Sequence, residues 1–152
     1  MKLRGAWGHE AGDLARVHAA AFANGWSADD IAQLLDGPGG FALVVEDGEA
    51  PVAFILCRAI AGEAEILTLA VDPRARRRGL GRALVEASTG AARMAGADAM
   101  FLEVAHDNAP AIGLYESAGF ARAGVRRGYY DRGPQGRADA VVMRLDLGPG
   151  AE

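Results

Sequence analysis

The run from Ile66 to Leu84, Ile-Leu-Thr-Leu-Ala-Val-Asp-Pro-Arg-Ala-Arg-Arg-Arg-Gly-Leu-Gly-Arg-Ala-Leu, narrows what this chain can fold into more than any other stretch. Ile66 to Val71 is apolar and branched apart from Thr68, the composition of a strand covered on both faces. Pro73 ends that strand, and Leu80, Leu84, Ala87, Ala91 and Met94 or Ala95 then recur at helical spacing, so a helix begins close to Gly79. A helix start carries unpaired backbone N–H groups and the positive end of the macrodipole, while Gly79 and Gly81 remove side chains that would keep an anion away. Arg76, Arg77, Arg78 and Arg82 add paired donors suited to phosphate oxygens. On R-x-x-G-x-G alone, an arginine-rich surface turn competes with this reading. Two other phosphate loops are excluded: the dinucleotide fingerprint needs glycine where Leu84 stands, and the nucleoside-triphosphate loop needs a lysine, whereas the chain's only lysine is Lys2.

A length of 152 residues is that of one ordinary domain, expected to span 1–147 with 148–152 as a frayed tail. Half the residues are hydrophobic (51%) and 24% are charged, a soluble globular balance. No apolar run reaches the roughly twenty residues of a membrane span, and Met1 to Gly5 leads into no signal-peptide core. The single cysteine, Cys57, forms no internal disulfide, so the cytoplasm is the expected compartment. A net charge of −4 argues against direct nucleic-acid binding by the surface as a whole. His9, His18 and His106 lack metal-ligand spacing with one another or with Cys57, and no metal is expected.

Leu3 to Trp7 reads as an edge strand and Ala11 to Phe22 as a helix, with His18 on its apolar face as a satisfied core or boundary histidine outside the mechanism. Ser27 caps a second short helix ending at Asp36-Gly37-Pro38. Trp26 between them is either a core anchor or the wall of an acceptor cleft. Phe41 to Glu46 and Val52 to Arg58 form a hairpin through Asp47-Gly48. After the long helix, Met100 to Val104 is a strand, Asn108 caps a helix left at Gly119, and Val125 and Val141 to Leu145 mark two closing strands around the polar stretch Asp131 to Asp139. The order β-α-α-β-β-β-α-β-α-β-β is that of a mixed α/β domain.

Two side chains stand out for chemistry. Glu103 puts a carboxylate in an apolar strand, and Tyr115 a phenol almost two helical turns past the Asn108 cap; a solvent-facing strand position and plain helix packing are their bland readings. They are the chain's two candidates for carrying a proton in a reaction.

The strand, the Asp72-Pro73 turn and Arg76-x-x-Gly79-x-Gly81 resemble the acetyl-CoA pyrophosphate motif of the GNAT acetyltransferase superfamily, Q/R-x-x-G-x-G/A. Asn108-x-x-Ala111-Ile112-x-Leu114-Tyr115-Glu116-x-x-Gly119-Phe120 resembles its N-x-x-A-x-x-L-Y-x-x-x-G-F segment. More narrowly, Trp26-Ser27, Leu102-Glu103-Val104, Leu114-Tyr115-Glu116 and Arg126-Arg127-Gly128-Tyr129-Tyr130 resemble the bacterial ribosomal-protein alanine N-acetyltransferases, over about Trp26 to Leu145. The resemblance implies a central, mostly antiparallel mixed sheet flanked by helices, and acetyl transfer from acetyl-CoA to the N-terminal amine of a ribosomal protein; a monomer or weak dimer is expected. The resemblance also implies backbone contacts from Leu69, Ala70 and Val71 to the pantetheine and acetyl carbonyl. Arg76, Arg77, Arg78, Gly79, Leu80, Gly81 and Arg82 would hold the pyrophosphate, and Asn108 would contact the CoA arm. Glu103 becomes the base, Tyr115 the acid, and Trp26, Tyr129 and Tyr130 acceptor contacts. Gly128 and Asp131 depart from the family, which often has Asn or Arg, and Pro, at those positions. An α-amine with a pKa of about 8 leaves a far larger neutral fraction near neutrality than a lysine at about 10.4. A small amine or protein lysine as acceptor, a non-catalytic acyl-CoA module, and arginine-mediated RNA binding are the rival readings.

Overall fold

A computed structural model describes residues 1–148. The tail expected over 148–152 therefore lies outside the described residues, apart from Gly148. In chain order the elements are β1 (Lys2–Ala6), α1 (Ala11–Ala21), α2 (Ala28–Asp36), β2 (Gly40–Asp47), β3 (Ala50–Ile60), β4 (Glu63–Val71), α3 (Leu80–Met94), β5 (Ala99–Ala105), α4 (Ala109–Ser117), β6 (Ala121–Asp131) and β7 (Arg137–Asp146). This is the order read from the sequence, with the last two strands longer than expected and the polar stretch between them reduced to a turn at 132–136. Short 3-10 turns precede α1, follow β4 and join β6 to β7.

The strands form one sheet in the order β1-β2-β3-β4-β5-β7-β6. Every neighbouring pair is antiparallel except β4 with β5. That parallel pair needs a crossover, and α3 supplies it. One face of the sheet packs Cys57, Ile66, Met100, Leu102 and Met143 against Leu84 and Val85 of α3 and Ile112 of α4. The other packs Val44, Phe54, Leu56 and Ala70 against Leu14 and Val17 of α1 and Ile31 and Leu35 of α2. Both layers follow from the apolar spacing of their helices, and Ser27 caps α2 as expected, its hydroxyl accepting the Asp30 N–H at 3.1 Å. No helix among the described residues is long and apolar enough to cross a membrane.

Two departures from regular pairing prepare the site. Between Leu56↔Thr68 and Cys57↔Ile66 the β3–β4 register slips, leaving Leu67 as an extra residue in β4. On its other edge β4 pairs with β5 only from Glu63↔Ala99 to Ile66↔Leu102. Beyond that point β4 stays with β3 as far as Val71, and β5 stays with β7 as far as Ala105, so the two parallel strands part company. The expectation of a strand covered on both faces is corrected here: Leu67, Leu69 and Val71 are only half-buried, because this end of β4 borders an opening.

His18 is a polar group inside the α1 layer, 2% exposed. Its Nδ1 accepts the Trp26 backbone N–H at 3.0 Å, which leaves the ring proton on Nε2, 3.0 Å from Thr68 Oγ1. The ring stacks on Phe22 and Trp26, with centroids 4.5 and 5.1 Å away, and lies 6.2 Å from Phe54. None of these neighbours is charged, and burial alone holds the imidazole below its ordinary pKa.

Two outcomes follow from this packing. Leu84→Ala, at a fully buried site under α3, lowers the unfolding free energy by about 2–5 kcal/mol in urea titrations. Because the folded state resists protonating His18 while the unfolded chain takes the proton near pH 6.5, the unfolded state binds more protons in acid. Stability is therefore complete above about pH 6.5 and declines as pH falls below it, a slope that His18→Leu removes in the same titrations repeated from pH 7.5 to 5.

Candidate active site

The opening where β4 and β5 separate is a cavity of about 650 Å³. Its walls are Ile66 to Leu69 of β4, Leu102 to Ala105 of β5, Leu114 and Tyr115 of α4, His18 and Trp26 near the α1–α2 connection, and Tyr130 to Arg132 at the end of β6. Past Ile66 no described strand lies beside β4 on this edge, so its outward backbone N–H and C=O groups are free to pair with an extended ligand.

Strand alternation decides which candidates meet here. Leu102 and Val104 point into the α3–α4 layer, so Glu103 points to the other face. Tyr115 comes from α4 on the first face. The carboxylate and the phenol thus approach the gap from opposite sides of the sheet, and both line the cavity. The Tyr115 ring is 7% exposed and packs edge-on to Phe120 with centroids 5.9 Å apart. Burial raises its pKa well above the usual phenol range, with further contributions from Cys57 and Tyr130, so the hydroxyl keeps its proton. Glu103 accepts a hydrogen bond from Arg126 Nη1 at 2.7 Å. The Arg126 guanidinium also lies over the Tyr129 ring, 4.2 Å from its centroid.

The two tyrosines grouped as acceptor contacts pack edge to face, with ring centroids 5.0 Å apart, but only one of them lines the cavity. Tyr130 lines the cavity, whereas Tyr129 is 43% exposed and sits on the outer side of Glu103, whose carboxylate raises its phenol pKa. A bulge turns them: Arg126 pairs with Ala140 and Tyr130 with Ala138, so three residues oppose one. Gly128 sits in this bulge at φ 60, its N–H donating to Asp139 Oδ1 at 2.8 Å and its carbonyl accepting from Arg137 Nε at 2.6 Å. Beyond it, Arg132 is tied to Asp107 by two bonds of 2.7 and 2.8 Å, which draw the β6–β7 turn over the β5–α4 turn and push the Asp107 carboxyl down to about 2. Trp26, read as either anchor or wall, is both: half-buried, stacked on His18 and lining the cavity.

The arginine loop lies at the β4 end of the same opening. Gly79 takes φ 73 and precedes α3 without a side-chain cap, so the first N–H groups of the helix are unpaired. Arg77 is also left-handed, at φ 67. A Cβ on Gly81 would stand 3.3 Å from Leu114, 3.8 Å from Leu69 and 3.9 Å from Val71, so the start of α3 is wedged between α4 and β4. The Leu80 side chain is buried in the core, leaving only its backbone to face a ligand, and the Ala70 side chain belongs to the α1–α2 layer. Two of the four arginines are engaged within the protein: Arg78 pairs with Asp47 at 3.1 Å and Arg82 with Glu86 at 2.9 Å. Arg76 and Arg77 have no ion pair among the described residues. Asn108 caps α4, its Oδ1 accepting the Ala111 N–H at 3.2 Å, and also lines the cavity. Cys57 is fully buried with its thiol pushed up to about 12 by burial.

Sequence reasoning passed over three groups at this site. Arg126 belonged to a matched motif but received no role, since nothing local shows that its guanidinium crosses to Glu103, a residue two strands away. His18 reads from the sequence as a core or boundary histidine, yet it lines the cavity. Arg132 lay in a stretch read only as polar.

The profile of the Acetyltransferase (GNAT) family matches residues 12–120. The ribosomal protein bS18-alanine N-acetyltransferase of Escherichia coli K12 is 43% identical over 95 residues, 62% of this chain and 64% of that protein, so the match spans slightly less than two thirds of the relative. The crystal structure of the ribosomal-protein-alanine N-acetyltransferase from Escherichia coli superposes with a TM-score of 0.90 at 32% identity, over 99% of this chain and 96% of that one. Naa20 of Chaetomium thermophilum, solved with a bisubstrate analogue, superposes with a TM-score of 0.82 at 25% identity, over 96% and 86% of the two chains. With a family profile covering most of its length and a parted β4–β5 pair at its centre, the chain belongs to the GNAT acetyltransferase family.

Proposed function

We propose that this protein transfers an acetyl group from acetyl-CoA to the α-amine of a polypeptide, with the N-terminal alanine of a ribosomal protein as its acceptor. The observation that carries this reading is the placement of Glu103 and Tyr115 on opposite sides of one gap between parted strands. The names of the Escherichia coli relatives support the acceptor class.

The chain's own groups fit an acyl-CoA. The free edge of β4 at Leu69 to Val71 suits the amide-bearing arm, which can lie beside it as an extra strand would. The uncapped start of α3 with Gly79, Gly81, Arg76, Arg77, Arg78 and Arg82 suits the pyrophosphate, and Asn108 faces the cavity between them. Exposed ion pairs such as Arg78–Asp47 and Arg82–Glu86 are weak and can be exchanged for a phosphate. Once bound, the coenzyme supplies an activated thioester.

On the acceptor side, Glu103 takes a proton from the incoming ammonium, directly or through water, so that the amine attacks as the neutral base. Tyr115, held protonated by burial, gives its proton to the departing sulfur. Direct attack in a ternary complex suits this geometry better than an acyl-enzyme, because Cys57 is buried and its thiol is held protonated at neutral pH. The acceptor enters between Trp26 and the Tyr130 to Arg132 segment.

Three outcomes test the reading. A peptide beginning with alanine is acetylated in a mass-spectrometric assay while its N-blocked form and a panel of small amines are not; turnover of the blocked peptide alone defeats the α-amine claim. Glu103→Gln and Tyr115→Phe each lower kcat by about 10²–10⁴-fold with acetyl-CoA affinity nearly unchanged, whereas a non-catalytic acyl-CoA module loses nothing by them. Gly79→Ala, forced into φ 73, weakens acetyl-CoA binding in calorimetry at a cost of about 1–3 kcal/mol while kcat at saturation holds.

A further inference from the structure

The acceptor wall is made of two pieces of chain that share no backbone hydrogen bond with each other. One is the connection from Phe22 to Ser27 between α1 and α2, and the other is the bulged part of β4 at Leu67 to Leu69. Both line the cavity, and His18 stands between them. Its two ring nitrogens are used in opposite senses, Nδ1 accepting from the backbone of Trp26 and Nε2–H donating to Thr68 Oγ1, each at 3.0 Å. Thr68 adjoins Leu67, the extra residue of the bulge, so the second bond is made where the strand is least held by its own ladder. The first is made where the connection folds back on α1: a Cβ on Gly25 would stand 2.9 Å from Ala19 Cα. Phe22 and Trp26 stack on the ring.

We propose that His18 is a positioning residue for the acceptor, a neutral clamp that fixes the Trp26 connection against the β4 bulge and so sets the width of the entrance through which the peptide N-terminus reaches Glu103. The inference rests on the reading of this cavity as an acceptor site. An ordinary buried histidine satisfies its own polar atoms; this one joins two separate segments, both on the cavity wall, through a single tautomer. A leucine fills the same space but provides neither bond. Asparagine restores an acceptor near the Nδ1 position without reaching Thr68. The arginine loop at 76–82 makes no hydrogen bond to His18, Trp26 or Thr68, and the Thr68 bond is made by a side chain on the α1 side of β4 rather than by the backbone edge at Leu69 to Val71, so the clamp acts mainly on the acceptor.

The experiment compares His18→Leu, His18→Asn and Thr68→Val with the wild type, by steady-state kinetics on an alanine-initiated peptide and by hydrogen exchange at the Trp26 amide. The expected result is that His18→Leu raises the peptide KM about tenfold, the worth of a lost buried hydrogen bond, leaves the acetyl-CoA KM within about twofold, and exposes the Trp26 amide to exchange. His18→Asn recovers most of the Trp26 protection and part of the KM. Thr68→Val, which keeps the ring and removes one hydroxyl, raises the peptide KM by a smaller factor and serves alone if His18→Leu does not fold. Unchanged peptide KM in both His18→Leu and Thr68→Val overturns the proposal, as does a parallel rise in both substrates' KM. A wild-type protein that acetylates no peptide but still loses Trp26 protection in His18→Leu overturns the acceptor reading and leaves the clamp standing.

Discussion

The structure turns on the place where β4 and β5 stop being partners. In a continuous sheet the two strands would satisfy each other's backbone groups along their whole length, and no ligand could enter between them. Here the shared ladder ends at Ile66↔Leu102, one residue before the bulge at Leu67. A bulge strengthens local twist, which carries the end of β4 away from β5 while β3 and β7 still hold the outer edges of each. The result is a cavity through the centre of the domain that needs no lid to form. It is open to side chains from both faces, so Glu103 and Tyr115 reach it from opposite directions.

Around this opening several charges are paired within the protein, while Arg76 and Arg77 have no ion pair among the described residues. Arg126 neutralises Glu103, Asp47 and Glu86 engage Arg78 and Arg82, and Asp107 holds Arg132. These pairs are partly or largely exposed, so each contributes little to stability and can be traded for a ligand charge of the same sign at small cost. The buried polar groups behave differently. His18 is fixed by two hydrogen bonds, and burial keeps the Tyr115 proton in place. Exchangeable charges at the rim and fixed protons inside suit the site proposed above, where an anionic donor and a cationic acceptor would be held together.

Much of the architecture is readable from one-dimensional pattern because local physics sets it. The Asn108 and Ser27 caps and the apolar spacing of Leu80 and Leu84 are consequences of backbone bonding over a few residues and fall where the pattern puts them, while the hairpin turn lies one residue beyond Asp47-Gly48, at Gly48-Glu49, with Asp47 still in β2 and paired with Ala50. The candidate site was readable only in part. Glu103 and Tyr115 could be singled out as a carboxylate in an apolar strand and a phenol beyond a helix cap, yet their convergence depends on a sheet order in which β5 lies beside β4. The pairing of Arg126 with Glu103 spans 23 residues of sequence and an intervening strand, and no local rule foretells it.

Taken alone, the amino-acid sequence determined the succession of strands and helices, the glycine and arginine character of the loop before α3, and membership of a superfamily whose motifs lie in that loop and in α4. These are short-range properties, written in periodicity, capping and turn chemistry. Tertiary structure alone decided that β4 parts from β5, that Tyr130 faces inward while Tyr129 stays outside, and that His18 joins Trp26 to Thr68. Each of these depends on register between strands or on packing between segments distant in the chain. A one-residue bulge reverses which face a side chain occupies without leaving a mark in the hydrophobic pattern.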